Sequence, residues 1–262
     1  MKILKILFFM IILTSFVSAK EEFIKKEIAW KNVQIIKVEL DRWHKIITSV
    51  ADNQWETVMN LVDKVWWVSW VNWAYFCPKD YKQCWWIDYS NADRIFEWQN
   101  YSRFWPDTGW RWIFGFDIDW NFLLVQNHLW SAEWTVRKIN VDKMTDIYYG
   151  ISNHPVIMYN GKNMLTDEDD KLMDKKIQSY WPKNFICINK DEDEVYMWYI
   201  AWIYIYEMPG YLYDNFGCRT AINLDSGRST WIVFENKSII KARRPVMDAF
   251  VVLESPEYKT LN

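Results

Sequence analysis

A chain that reverses direction often needs residues that tolerate positive φ, and this one has few of them. It holds 7 Gly in 262 residues, against 20 Trp. Average usage would put roughly 18 Gly in a chain of this length. The missing glycines and the surplus tryptophans lie in the same kinds of place. In Asp117-Ile118-Asp119-Trp120-Asn121, Trp120 sits in a polar turn between two apolar runs. A hairpin there favours Asp-Gly or Asn-Gly, because its central residues take φ > 0. Trp66-Trp67 and Trp85-Trp86 also fall where loops are expected, Trp43 stands between two strand-like runs, and Trp231 follows Ser229-Thr230. One reading joins both anomalies: many of these Trp are native Gly encoded by UGA, a codon read as Trp in one variant code and as Gly in another. The alternative is a Trp-rich sugar-stacking surface.

The pattern between the turns is that of strands. Val33 to Leu40, Ile46 to Val50, Val68 to Phe76, Pro155 to Tyr159, Phe185 to Asn189 and Val195 to Tyr206 are short apolar or alternating runs. Ala221 to Leu224, Ile232 to Glu235, Ser238 to Lys241 and Ala249 to Leu253 add further strands. Ile113 to Asp117 and Phe122 to Gln126 form a hairpin around Trp120, and Asn160-Gly161 marks another turn. Glu56 to Lys64 has helical spacing, Met208 to Gly217 reads as a short helix or loop, and Asp167 to Lys176 as a solvated helix or loop. The expected fold is α+β: mostly antiparallel β-sheets with a few helices, in a single domain.

Residues 1–19 read as a secretory signal: Lys2 and Lys5 precede an apolar run from Ile6 to Val17, and Val17-Ser18-Ala19 supplies small residues for cleavage. The remainder, 20–262, is then the domain. It is expected to be secreted or held in the cell envelope, with no membrane span once the signal is removed. A formal net charge of −3 offers nothing to nucleic acid. In an oxidising compartment Cys77 and Cys84 suit a local disulfide. Cys187 and Cys218 fit either a second bridge or, for Cys187, a free thiol in a strand. Scattered His44, His128 and His154 and the lack of a C-x-x-C pair suggest no metal site, and no cofactor is expected.

Four segments resemble the phosphodiester glycosidase domain family. Val71 to Phe76 (VNWAYF) is similar to its I-N-G-G-F-F, and Pro155 to Gly161 (PVIMYNG) to P-V-L-V-x-x-G. Pro182 to Asn189 (PKNFICIN) is similar to P-R-T-A-I-G-I-D. Ala221 to Thr230 (AINLDSGRST), followed by Arg244-Pro245-Val246, is similar to A-L-N-L-D-G-G-G-S-T. Order and spacing agree over roughly residues 30–253, and the family pattern places Gly where Trp73 stands. Two departures stand out. Lys183 replaces the family Arg, with Asn184 and Phe185 in place of T-A, and Ser226 and Arg228 stand at family Gly positions.

The resemblance implies a hydrolase that releases a sugar joined through its anomeric carbon to a phosphodiester, acting on envelope or extracellular glycans. Such chemistry needs a carboxyl group at the anomeric centre and donors for the phosphate. Asp225 is the candidate catalytic carboxylate, with loop capping as its structural alternative. Lys183, Arg228 and Arg244 are candidate phosphate donors, Arg228 as a replacement for the guanidinium lost at 183. Asn72, Ser229 and Thr230 are candidate hydrogen-bonding partners for sugar or phosphate, or else turn and cap residues. The competing reading is a non-catalytic carbohydrate-binding or envelope-associated module that keeps the fold.

Overall fold

The structure, a computed structural model, describes residues 21–40, 44–50, 69–72, 94–97, 99–100, 111–127, 147–243, 246 and 248–254. Strands are numbered in chain order. Every strand pairing among the described residues is antiparallel, as expected for short strands joined by tight turns.

The largest sheet has seven strands: β1 (Glu21–Ile28), β2 (Lys31–Glu39), β10 (Val156–Tyr159), β11 (Lys162–Asn163), β12 (Trp181–Asn189), β13 (Glu194–Ile203) and β14 (Cys218–Leu224). Their order is β1-β2-β13-β12-β14-β10-β11, so β12 lies near the middle although it is late in the chain. A five-stranded sheet contains β3 (His44–Val50), β4 (Ser69–Asn72), β15 (Ile232–Phe234), β16 (Lys237–Ile240) and β17 (Asp248–Glu254). A second five-stranded sheet contains β5 (Arg94–Phe96), β6 (Gln99–Asn100), β7 (Arg111–Phe116), β8 (Phe122–Asn127) and β9 (Tyr149–Asn153).

Alternation along β12 explains how the layers stack. Ile186 and Ile188 join a core with Val71 of β4, Phe114 of β7 and Phe250 of β17, so all three sheets meet in one apolar layer. Phe185 and Cys187 point to the other face, where helix α3 (Met208–Phe216) covers the large sheet through Met208 and Leu212. Side chains of a strand alternate between faces, so one buried strand serves two cores. Helix α3 carries Pro209 in its first turn and ends at Gly217, whose φ of 66° closes the helix with a bond from its N–H to the Tyr213 carbonyl.

The acidic stretch from Asp167 forms two short helices, α1 (Asp167–Leu172) and α2 (Lys175–Gln178), with the Asp174 side chain accepting from the Lys176 N–H as N-cap. The strand read to Tyr206 ends at Ile203, and Ile205–Glu207 form a 3₁₀ turn leading into α3. Cys187 and Cys218 are joined in a disulfide between neighbouring strands, and Cys187 is therefore not a free thiol. The Glu56 to Lys64 segment, the signal residues and the Cys77–Cys84 pair lie outside the described residues.

Candidate active site

The N-L-D run of β14 delivers Asp225 to the end of a central strand, where the chain leaves the large sheet. The next residues make a tight loop. Ser226 is extended (φ −133°), Gly227 takes φ 74°, and Gly227–Ser229 form a 3₁₀ turn closed by a bond from the Thr230 N–H to the Gly227 carbonyl. Because Ser226 is extended, a side chain at that family Gly position carries no backbone cost. The positive φ falls on Gly227, which is retained. Arg228 is exposed on the outer side of the turn, and its carbonyl accepts from the Arg243 N–H at 2.8 Å.

Two asparagines hold this loop from below. Asn72, at the end of β4, donates through Nδ2 to the Asp225 carbonyl at 3.1 Å. Its Oδ1 accepts from the Trp231 N–H at 2.7 Å, and its own N–H donates to the Trp231 carbonyl at 3.1 Å. Asn184, in β12, donates through Nδ2 to the same Asp225 carbonyl at 2.8 Å and to Thr230 Oγ1 at 3.2 Å. Both asparagines are fully buried, as are Ser229 and Thr230. A carbonyl held by two amide donors in a dry setting has little freedom, so the backbone bearing the Asp225 carboxylate is held in place. Asp225 itself is buried at the loop's base.

Asn72, Asp225, Ser229 and Thr230 are thus brought together from two sheets. Lys183 is not. Its neighbour Asn184 faces the loop, so Lys183 faces the helix side. Its Nζ donates to the carbonyls of Ser179 (3.0 Å), Trp181 (3.3 Å) and Lys176 (3.4 Å). Only 1% of the residue is exposed, and desolvation lowers its ammonium pKa to about 8. Arg244, Cys77 and Cys84 lie outside the described residues. Asn184 is the site residue that the sequence reading did not single out. It registered there only as a departure from a Thr, and a partner 112 residues away gives no local signal.

The loop is flanked by rings. Trp181 Nε1 lies 3.4 Å from where a Cβ on Gly227 would stand. Trp181 makes an edge contact with Trp202 (5.7 Å between centroids), Tyr180 stacks on Trp202 and leans on Tyr204, and all four rings are partly open to solvent. Among the described residues no group of three His, Cys, Asp or Glu side chains is arranged to hold a metal ion. No helix among them is long and apolar enough to cross a membrane.

A buried aspartate loop thus stands at the end of a central antiparallel strand, clamped by an asparagine from a second sheet. The phosphodiester glycosidase family matches residues 120–253, half of the chain, and the chain belongs to that family. Solved structures share the fold at low identity. The catalytic domain of zebrafish N-acetylglucosamine-1-phosphodiester alpha-N-acetylglucosaminidase, auto-inhibited by its pro-peptide, superposes with a TM-score of 0.62 at 14% identity, covering 91% of this chain and 85% of that one. A hypothetical protein from Synechocystis gives 0.59 at 10% identity, over 89% of this chain and 61% of that one. A putative exported protein from Burkholderia pseudomallei gives 0.56 at 8% identity, over 85% and 74%. No curated protein matches the sequence.

Proposed function

We propose that the protein is an exported hydrolase that cleaves the glycosidic bond of a sugar linked through a phosphodiester, on envelope or extracellular glycans, with Asp225 as its essential carboxylate. The observation that carries this is the pair of amide donors from Asn72 and Asn184 on the Asp225 carbonyl, which fix the backbone of that carboxylate. A preorganised carboxylate serves glycosidic cleavage as acid, base or nucleophile. Phosphate donors come from the exposed Arg228 and from Arg244, since the Lys183 ammonium is engaged with backbone carbonyls. Ser229 and Thr230 order the loop, and the exposed Trp181 ring beside it offers a flat face of the kind sugars stack on. The Cys187–Cys218 bridge supports an oxidising, extracytoplasmic setting.

The test is sugar release from a glycosyl phosphodiester. Asp225→Asn keeps the shape and the backbone bonds, so the expected outcome is a rate loss of at least about 100-fold with unchanged thermal stability. Unchanged release from Asp225→Asn removes Asp225 from the mechanism.

A second reading is supported by the orientation of Lys183. The position where the family has Arg directs its cation away from the loop, as in a fold kept for glycan binding alone. Binding of a glycosyl phosphodiester by the wild-type protein with no turnover would select that reading.

A further inference from the structure

We infer that positions 30 and 120 are glycine in the protein as its own cell makes it, with Trp arising from a UGA codon read in the wrong code. Among the described residues, two of the hairpins provide an internal reference. Tyr159 and Lys162 are paired across a two-residue turn of Asn160 (φ 48°) and Gly161 (φ 76°). Phe234 and Lys237 are paired across Glu235 (φ 46°) and Asn236 (φ 62°). In each, the second turn position is Gly or Asn, the residues that accept a left-handed backbone. The β1–β2 hairpin has the same form: Ile28 and Lys31 are paired across Ala29 (φ 47°) and Trp30 (φ 64°). Here the second position is Trp, and its side chain is 93% exposed, so no burial offsets the strained backbone.

The β7–β8 hairpin repeats the pattern in a different turn. Its loop closes with bonds from the Asp117 N–H to the Asn121 carbonyl and from the Trp120 N–H to the Asp117 carbonyl, with Asn121 also held by the Asp117 carboxylate. This is a three-residue hairpin loop whose last residue takes the left-handed bulge position that glycine usually fills. Trp120 occupies it at φ 69°. Two turn types therefore place Trp at left-handed positions that glycine or asparagine favours, in a chain with 20 Trp and 7 Gly. A single codon reassignment accounts for both positions and for the composition.

The direct test is a peptide-level mass measurement on the protein from its native cells, with the gene's codons at the two positions. Gly in the peptides spanning 30 and 120, with UGA in the gene, is expected; Trp in those peptides, or UGG at both codons, overturns the inference. An independent arm uses the recombinant chain with Trp at both positions. Trp30→Gly is expected to raise the melting temperature by about 2–4 °C, whereas Trp30→Ala, which keeps a Cβ at positive φ, gains less. A melting temperature unchanged or lowered by Trp30→Gly would refute the conformational argument. Position 30 is preferred for this arm because Trp120 also stacks on Tyr149, and its replacement would change two things at once.

Discussion

Lys183 shows how far one side chain can depart from the role its position suggests. It is a buried cation that bonds to backbone carbonyls among the described residues, and burial lowers its pKa from the usual 10.5 to about 8. Below pH 8 the amine is charged in both folded and unfolded chains, and folding bears the full cost of burying that charge. Between about pH 8 and 10.5 the unfolded chain binds more protons than the folded one, so stability rises with pH. Tyr211, whose hydroxyl donates to the Ile28 carbonyl, is pushed up to about 12 by burial and opposes this trend above pH 10. The clean window is therefore pH 8 to 10. Urea unfolding across it should show stability increasing, by about 2 kcal/mol, and Lys183→Met should flatten the slope. A wild-type slope that is flat or negative would contradict the buried-ammonium picture.

At the scale of elements, β12 organises the molecule. It pairs with β13 and β14, presents Asn184 to the aspartate loop, and sends Cys187 to the opposite face to bridge Cys218. The bridge spans 31 residues of sequence, including the 190–193 turn, β13 and helix α3. Closing a loop of that length stabilises by about 3–4 kcal/mol through the unfolded chain. The paired replacement Cys187→Ala with Cys218→Ala should lower the unfolding free energy by that amount in urea, with a larger m-value because the freed unfolded chain exposes more surface. The same strand shows what was legible beforehand. Its apolar run and that of β13 stood out in the sequence as strand-like segments. The pairing of Asn184 with the loop did not, because it depends on β14 lying beside β12 rather than on any local pattern.

For the whole molecule, one shared core welds the three sheets. Phe114 of β7 lies 4.7 Å from Phe122 of β8 and 6.1 Å from Phe250 of β17, between centroids, and is fully buried. Truncating such a residue costs about 3–5 kcal/mol. Because its neighbours belong to more than one sheet, Phe114→Ala should lower a single cooperative thermal transition rather than split it. Two separated transitions, by calorimetry, would show that the sheets unfold independently.

The amino-acid sequence by itself determined the class of elements, most strand positions, the turn sites and the loop that carries Asp225. These rest on side-chain alternation and turn chemistry, which act over a few residues and can be read from spacing. It also exposed the mismatch between Trp and turn positions, which the backbone at 30 and 120 sharpened. Only the tertiary structure decided that Asn72 and Asn184, 112 residues apart, share one carbonyl, that Lys183 turns its charge into the fold, and that Cys187 finds Cys218. Those outcomes depend on which strands become neighbours and which face each side chain takes. Both are settled by burial across three sheets, a long-range energy that no short window of sequence contains.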